Sequence, residues 1–343
     1  MSPIRMITMM VLILVLLAGC SKSADSSQRG KPAGLRVLCG TYPVYLFTLG
    51  VTAECEGVTV ESLLPPGHGC PHDFELSAQD IQRVADADVI ILNGLGLDDA
   101  FAPAIRKTNP NAKVIIASTT KLGTLGLLPM TPCSHDHDAD DDDEEDCDVD
   151  CGHDGHGHRA HAHHHDHGPW NPHLFASPRR AARMALEIAN GLADVDPSLA
   201  NTKRLAQNAL SYSQRLTALA DEMKAALADV PNRKIVTEHA VFDYLARDCG
   251  LEIAAVIEEI PGQDPTAAGM QTLIERIQSS GAAVIFVEPN SSSKAGQTLA
   301  NELRLPVEVL DPVASGPANP PPDYYETQMR KNLATLVRVL KSQ

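Results

Sequence analysis

Fourteen histidines are spread very unevenly over this 343-residue chain. Ten of them, His135, His137, His153, His156, His158, His161, His163, His164, His165 and His167, fall within residues 134–167, among Asp136, Asp138 and the acidic run 140–146. The other four are His68, His72, His173 and His239. Imidazole and carboxylate bind borderline divalent metals, and imidazole suits zinc, copper and nickel. The 134–167 segment offers almost no apolar area to offset the cost of ordering it, so it cannot pack a core. A solvated acidic linker would need the carboxylates but not the imidazoles, so their interleaving points to a low-affinity metal-binding loop.

Three of the four remaining histidines sit where a strand ends or a helix is about to start. His72 follows an apolar run in Leu64-Pro65-Pro66-Gly67-His68-Gly69-Cys70-Pro71-His72. His239 follows another in Val236-Thr237-Glu238-His239, and His173 precedes a helix start in Asn171-Pro172-His173. Asp311 closes the last apolar run, in Val309-Leu310-Asp311-Pro312. Open α/β sheets bind ligands at the carboxyl ends of their strands, so these four positions can converge in one crevice. Three imidazoles and one carboxylate form a tetrahedral set that suits zinc. His68 and Cys70 share the loop of His72 and are either turn residues or alternative ligands. Glu288, in Val287-Glu288-Pro289, faces the same crevice, as hydrogen-bond acceptor to a ligand histidine or as a replacement for Asp311.

The elements that must hold these residues read as an α/β protein. Apolar runs at 35–39, 58–64, 88–92 and 113–117 are buried strands, with helices expected at 77–87, where Ser77 and Asp80 form an N-cap pair, and at 98–108. The pattern restarts with strands at 234–237, 251–257, 282–287 and 307–310. Helices are expected at 242–248, 270–279, 295–303 and 324–340. Strands alternating with helices imply parallel sheets, hence two Rossmann-like lobes. Between them, 201–227 has few breakers and apolar residues at Leu205, Leu210, Leu216, Leu219 and Met223, the spacing of one long rigid helix. The expected organisation is an N-terminal lobe at 35–198 with its 134–167 loop, a linking helix at 199–229 and a C-terminal lobe at 230–343.

The first residues carry the address. Arg5 leads into an apolar run at 7–17, too short to span a bilayer, then Leu17-Ala18-Gly19-Cys20. Residues 1–19 read as a lipoprotein signal peptide, with Cys20 as the lipidated residue and 20–34 as a flexible tether. The formal net charge of -16 is concentrated: 134–167 holds 13 acidic residues against Arg159 alone, so it carries -12 and leaves -4 for the rest. A nearly neutral body has no basic face for nucleic acid. Seven cysteines follow Cys20, an odd number, so not all can pair within the chain. Cys133, Cys147 and Cys151 either bind metal or pair.

In these elements the chain resembles the metal-binding (cluster A-I, ZnuA/TroA-like) solute-binding proteins that serve ABC importers. The resemblance runs over about residues 35–340. It is carried by Pro65-Pro66-Gly67 before His72, Asn171-Pro172-His173 leading to Ser177-Pro178, Glu238-His239-Ala240-Val241-Phe242, Asp311-Pro312, Tyr324-Tyr325 and Asn332-Leu333. It implies two lobes bridged by one helix, with metal ligands at His72, His173, His239 and Asp311. Manganese-selective members place Glu where His239 stands, so the resemblance implies Zn2+, with Mn2+ as the alternative. A His/Asp-rich insertion before the second ligand is also a feature of zinc members. The family often has Asp where Asn171 stands, so the surroundings of His173 differ here.

The function expected is an extracytoplasmic, membrane-anchored receptor that captures zinc between its lobes and delivers it to the membrane permease of a high-affinity ABC transporter. Its partners would be that permease, the zinc ion and, through the lipid, the membrane; a monomer is expected. It is not expected to be an enzyme, because four protein ligands leave no open position for water. A zinc hydrolase would need Asp311 displaced and Glu238 or Glu288 as base. A manganese or iron receptor, and a zinc-buffering surface adhesin, are the other readings.

Overall fold

The computed structural model describes residues 34–68, 74–118, 126–130, 169–195, 199–258, 263–289 and 294–342. Its Val- and Ile-rich runs form two four-stranded parallel sheets. In the first, β1 (Leu35–Cys39), β2 (Val58–Ser62), β3 (Val89–Leu92) and β4 (Lys113–Ile116) lie in the order β2-β1-β3-β4. In the second, β5 (Lys234–Thr237), β6 (Glu252–Val256), β7 (Val284–Val287) and β8 (Val307–Val309) repeat that order as β6-β5-β7-β8. In each, the connections leave the first strand toward opposite edges, so a crevice opens beyond the carboxyl ends of the central strands. The two-lobed, parallel α/β class expected from the sequence is the class observed.

Period-two alternation sorts each strand between two layers. Val37, Cys39, Val89 and Ile91 face a central core, while Leu38, Ile90 and Leu92 face an outer one under α2 (Ala78–Asp86) and α3 (Ala102–Thr108). In the second sheet Ile235, Val284 and Phe286 face the centre. Val236 and Ile285 pack outward with α7 (Ala267–Ser280) and α8 (Ala295–Leu303). The central core is continuous through both sheets. It is built from α1 (Tyr42–Thr52), α4 (Pro178–Val195), the linking helix α5 (Leu199–Ala226), α6 (Asp243–Cys249) and α9 (Tyr324–Lys341). No helix among the described residues is long and apolar enough to cross a membrane.

The linking helix has 28 residues, which makes it about 42 Å long. Its buried stripe is Leu205, Ala209, Tyr212, Leu216, Leu219 and Met223. Leu210 does not belong to it: it is 57% exposed, because the stripe passes through its neighbour Ala209. The Ser77–Asp80 cap forms as a full capping box at the start of α2. Two helices have no counterpart in the sequence reading. In α1 eight of eleven residues are buried, so it shows no amphipathic period. In α4 half of the buried face is alanine, with Ala181, Ala182, Ala185 and Ala189, which blurs the apolar stripe. The close fit of α4 continues at Gly191, where a Cβ would stand 2.8 Å from the Ile115 side chain.

Hydrogen bonds tie the halves on both sides of the crevice. Tyr42 donates to Pro317 O (3.0 Å) and Tyr45 to Ala318 O (3.3 Å), joining α1 to the β8–α9 connection. Tyr325 of α9 donates to Phe175 O (2.6 Å). Arg180 at the start of α4 pairs with Asp248 of α6 at 2.8 Å, and Ser177 donates to the same carboxylate at 2.6 Å. Cys39 and Cys249 are buried free thiols, and burial pushes both up to about 12. The leader, Cys20 and the 134–167 segment lie outside the described residues.

Candidate metal centre

Strand register builds the C-terminal half of the site. Thr237 of β5 lies beside Val256 of β6 and Phe286 of β7. Two residues further along all three chains, His239 therefore falls between Glu258 and Glu288. Its Nδ1 is in ion-pair contact with Glu288 Oε1. Glu238, next to it, accepts from the Glu288 backbone N–H at 2.7 Å and so fixes where Glu288 begins. His239 is 8% exposed, and its buried Nε2 has no hydrogen-bond partner among the described residues. Burial alone would lower the pKa of this imidazole. The charge and hydrogen bond of Glu288, with the charges of Glu238 and Glu258, outweigh burial and raise it.

His173 comes from the other side of the crevice. A short antiparallel stem precedes it, with Pro129 bridged to Trp170 and Asn171 N donating to Leu128 O at 2.9 Å. The N-terminal sheet holds its other flank. Asn93, just past β3, donates from Nδ2 to Pro172 O at 3.0 Å. Asp98 shapes that turn by accepting the N–H groups of Asn93 (2.6 Å) and Gly94 (2.9 Å). Full burial pushes the Asp98 carboxyl up to about 7, although those two N–H groups and its own favour the anion. His173 Nδ1 lies 3.0 Å from Asn171 Oδ1, which also accepts the His173 backbone N–H at 2.9 Å. Asn171 Nδ2 is committed elsewhere as a donor, so its oxygen faces the imidazole and Nδ1 carries the proton. The lone pair of His173 is thereby on Nε2. The two rings lie with centroids 5.5 Å apart at 74°.

Asp311 stands just past β8. Its Oδ1 accepts from Val313 N (2.7 Å) and its Oδ2 from Gln328 Nε2 (3.0 Å). Burial raises its pKa, those two donors oppose the rise, and the charge of Glu288 adds to it. His68 packs edge-on against Phe74, with ring centroids 5.0 Å apart. His72, Cys70 and the ten histidines of the 134–167 loop lie outside the described residues. Among the described residues no group of three or more His, Cys, Asp or Glu side chains is close enough to hold a metal ion. The structure thus joins His173 to His239 and Glu288 to His239. Glu258, Asn93, Asp98 and Asp243 were not singled out by sequence reasoning. Of these, Glu258 had a signal: β5, β6 and β7 each run into a glutamate within two residues of their ends.

Two parallel α/β lobes bridged by one helix, with ligand-capable residues at the strand ends, define a two-lobed solute-binding protein. The chain belongs to the ZnuA family, described as zinc-uptake complex component A, periplasmic, whose model matches residues 37–339. It is 31% identical over 336 residues to the zinc-binding protein AdcA of Streptococcus pyogenes, covering 97% of this chain and 61% of that protein. The chain therefore spans under two thirds of the length of the streptococcal relatives. It is 27% identical to the high-affinity zinc uptake system protein ZnuA of Bacillus subtilis, covering 87% of this chain and 84% of that one. Among solved structures, the solute-binding protein FpvC of Pseudomonas aeruginosa in complex with Mn2+ superposes with a TM-score of 0.71 at 28% identity, covering 90% of this chain and 99% of that one.

Proposed function

We propose that this chain is an extracytoplasmic zinc receptor that holds the ion between its lobes and passes it to the permease of an ABC importer. The ligands in this reading are His72, His173, His239 and Asp311. The observation that carries it is the pair of buried imidazoles, each with its Nδ1–H directed to an oxygen acceptor, Asn171 for one and Glu288 for the other. That is how ligating histidines are oriented, because the acceptor fixes the tautomer and makes Nε2 more basic. The buried Nε2 of His239, which has no hydrogen-bond partner among the described residues, gives the metal a donor that is costly to leave unmet. Zinc-binding relatives support this cargo over manganese, and His at 239 agrees with it. Lipid attachment at Cys20 is supported by the zinc-binding lipoprotein AdcA of Streptococcus pneumoniae, 30% identical over 307 residues.

Zinc would enter as cargo, and the residues would do no covalent chemistry. Loading requires His239 to be neutral, so the carboxylates that favour its protonated form in the empty site also make its neutral form a stronger donor. Four protein ligands close the coordination sphere, so no hydrolytic role is assigned. Competition titration against a chromophoric chelator tests the reading. One tight zinc equivalent is expected, lost in both His173→Ala and His239→Ala; tight binding kept by both would overturn it.

A further inference from the structure

One side chain touches both histidine-bearing segments. Asn171 is fully buried, and the two ends of its planar amide do opposite work. Its oxygen accepts the backbone and ring N–H groups of His173. Its NH2 donates to Ala240 O at 2.8 Å and to Asp243 Oδ2 at 3.1 Å. Ala240 follows His239 directly, and Asp243 opens α6, the helix His239 leads into. The amide therefore spans from one imidazole to the turn that carries the other. Its backbone is held as well: the buried Tyr244 hydroxyl donates to Asn171 O at 2.8 Å and accepts from Leu128 N at 3.1 Å.

We propose that Asn171 and Asp243 are a matched pair of positioning residues that sets the spacing of His173 and His239, so that metal affinity depends on the two together. This rests on the metal-receptor reading. The match is one of donors and acceptors. Aspartate has nearly the same shape as asparagine but no N–H. At position 171 it would still accept from His173, yet its second oxygen would face the Ala240 carbonyl and the Asp243 carboxylate at about 3 Å, where like charges in a partly buried setting repel strongly. Relief requires the turn after His239 to move away from His173, which widens the gap between the imidazoles. An asparagine at 243 removes the charge repulsion, because its NH2 can donate to the carboxylate introduced at position 171, and leaves only the contact with the Ala240 carbonyl.

The test is a double-mutant cycle on the full chain: wild type, Asn171→Asp, Asp243→Asn and the double variant, each titrated with zinc against a competing chelator. Asn171→Asp is expected to weaken zinc by about tenfold or more when Asp243 is present. In the Asp243→Asn background the same change should cost less than about threefold. A general loss of fold would not be repaired by the second substitution, so recovery separates positioning from simple destabilisation. Equal losses in the two backgrounds, or no loss in either, would overturn the pair. His173→Ala and His239→Ala are titrated alongside. If both still bind zinc as wild type does, the metal reading itself fails. If both lose it while 171 and 243 act independently, only the pairing is wrong.

Discussion

The two halves share a strand order and yet equip their histidines differently. His239 is supported by carboxylates: Glu288 on its Nδ1, with Glu238 and Glu258 close enough to raise its pKa. His173 is supported by the neutral amide of Asn171. Both arrangements select the same tautomer, but only the first adds negative charge behind the ring. In the proposed site the C-terminal half supplies most of the field that attracts a cation. The other half, through Asn93, Asp98 and the 128–130 stem, supplies mostly geometry. Neutralising a carboxylate should therefore act chiefly on one side of the crevice.

Removing either imidazole should erase this asymmetry, because each is a direct ligand in the proposed set. Zinc affinity in His173→Ala and in His239→Ala is expected to fall by more than about 100-fold, beyond the usual effect of a supporting residue. Chelator competition measures it, and a small loss in either would remove that residue from the site. Glu288→Gln probes the charged side alone. It keeps an acceptor for Nδ1 and removes the charge, so about a tenfold loss is expected, measured in the same titration.

A pH series sharpens the contrast further. The carboxylates hold the His239 pKa above its ordinary value of 6.5. Zinc must displace that proton, so the zinc-induced rise in melting temperature should begin to shrink while pH is still above that value. In Glu288→Gln the loss should move to lower pH. For the metal-free chain the sign reverses. A raised folded-state pKa gives stability that is fully present below the unfolded pKa and lost as pH climbs through the folded one. Differential scanning calorimetry with and without zinc should show the two melting temperatures converging as pH falls; a constant gap between them would contradict the charged support of His239. The smallest effect is expected at the rim. His68 packs on Phe74, and His68→Ala should change zinc affinity by less than about threefold, since surface changes are usually worth only a few tenths of a kcal/mol.

Much of the fold was legible because buried parallel strands announce themselves as short Val/Ile runs. β1, β5 and α8 fall on the expected residues, and most other ends differ by only a few residues. The helix α1 was not legible because burial on all sides removes its period, and alanine blurs the stripe of α4. Leu210 shows the reverse error, an apolar residue at a plausible spacing that faces solvent. At the site, the pairing of His239 with Glu288 could be suspected from two strand ends, but their juxtaposition depends on register across β5 and β7. The contact of Asn171 with Asp243, 72 positions apart, has no local signature at all.

The most direct measurement is zinc K-edge X-ray absorption on the chain lacking residues 134–167, loaded with one equivalent of zinc. Removing the loop leaves only the proposed crevice site to report. The expected spectrum has an inner shell of nitrogen and oxygen alone, at about 2.0–2.1 Å, with outer-shell features of several imidazoles. A sulfur shell at about 2.3 Å would bring a cysteine, Cys70 or Cys133, into the coordination sphere, and failure of the shortened chain to hold any tight zinc would move the ligands into the loop. Either result would contradict a site built from His72, His173, His239 and Asp311.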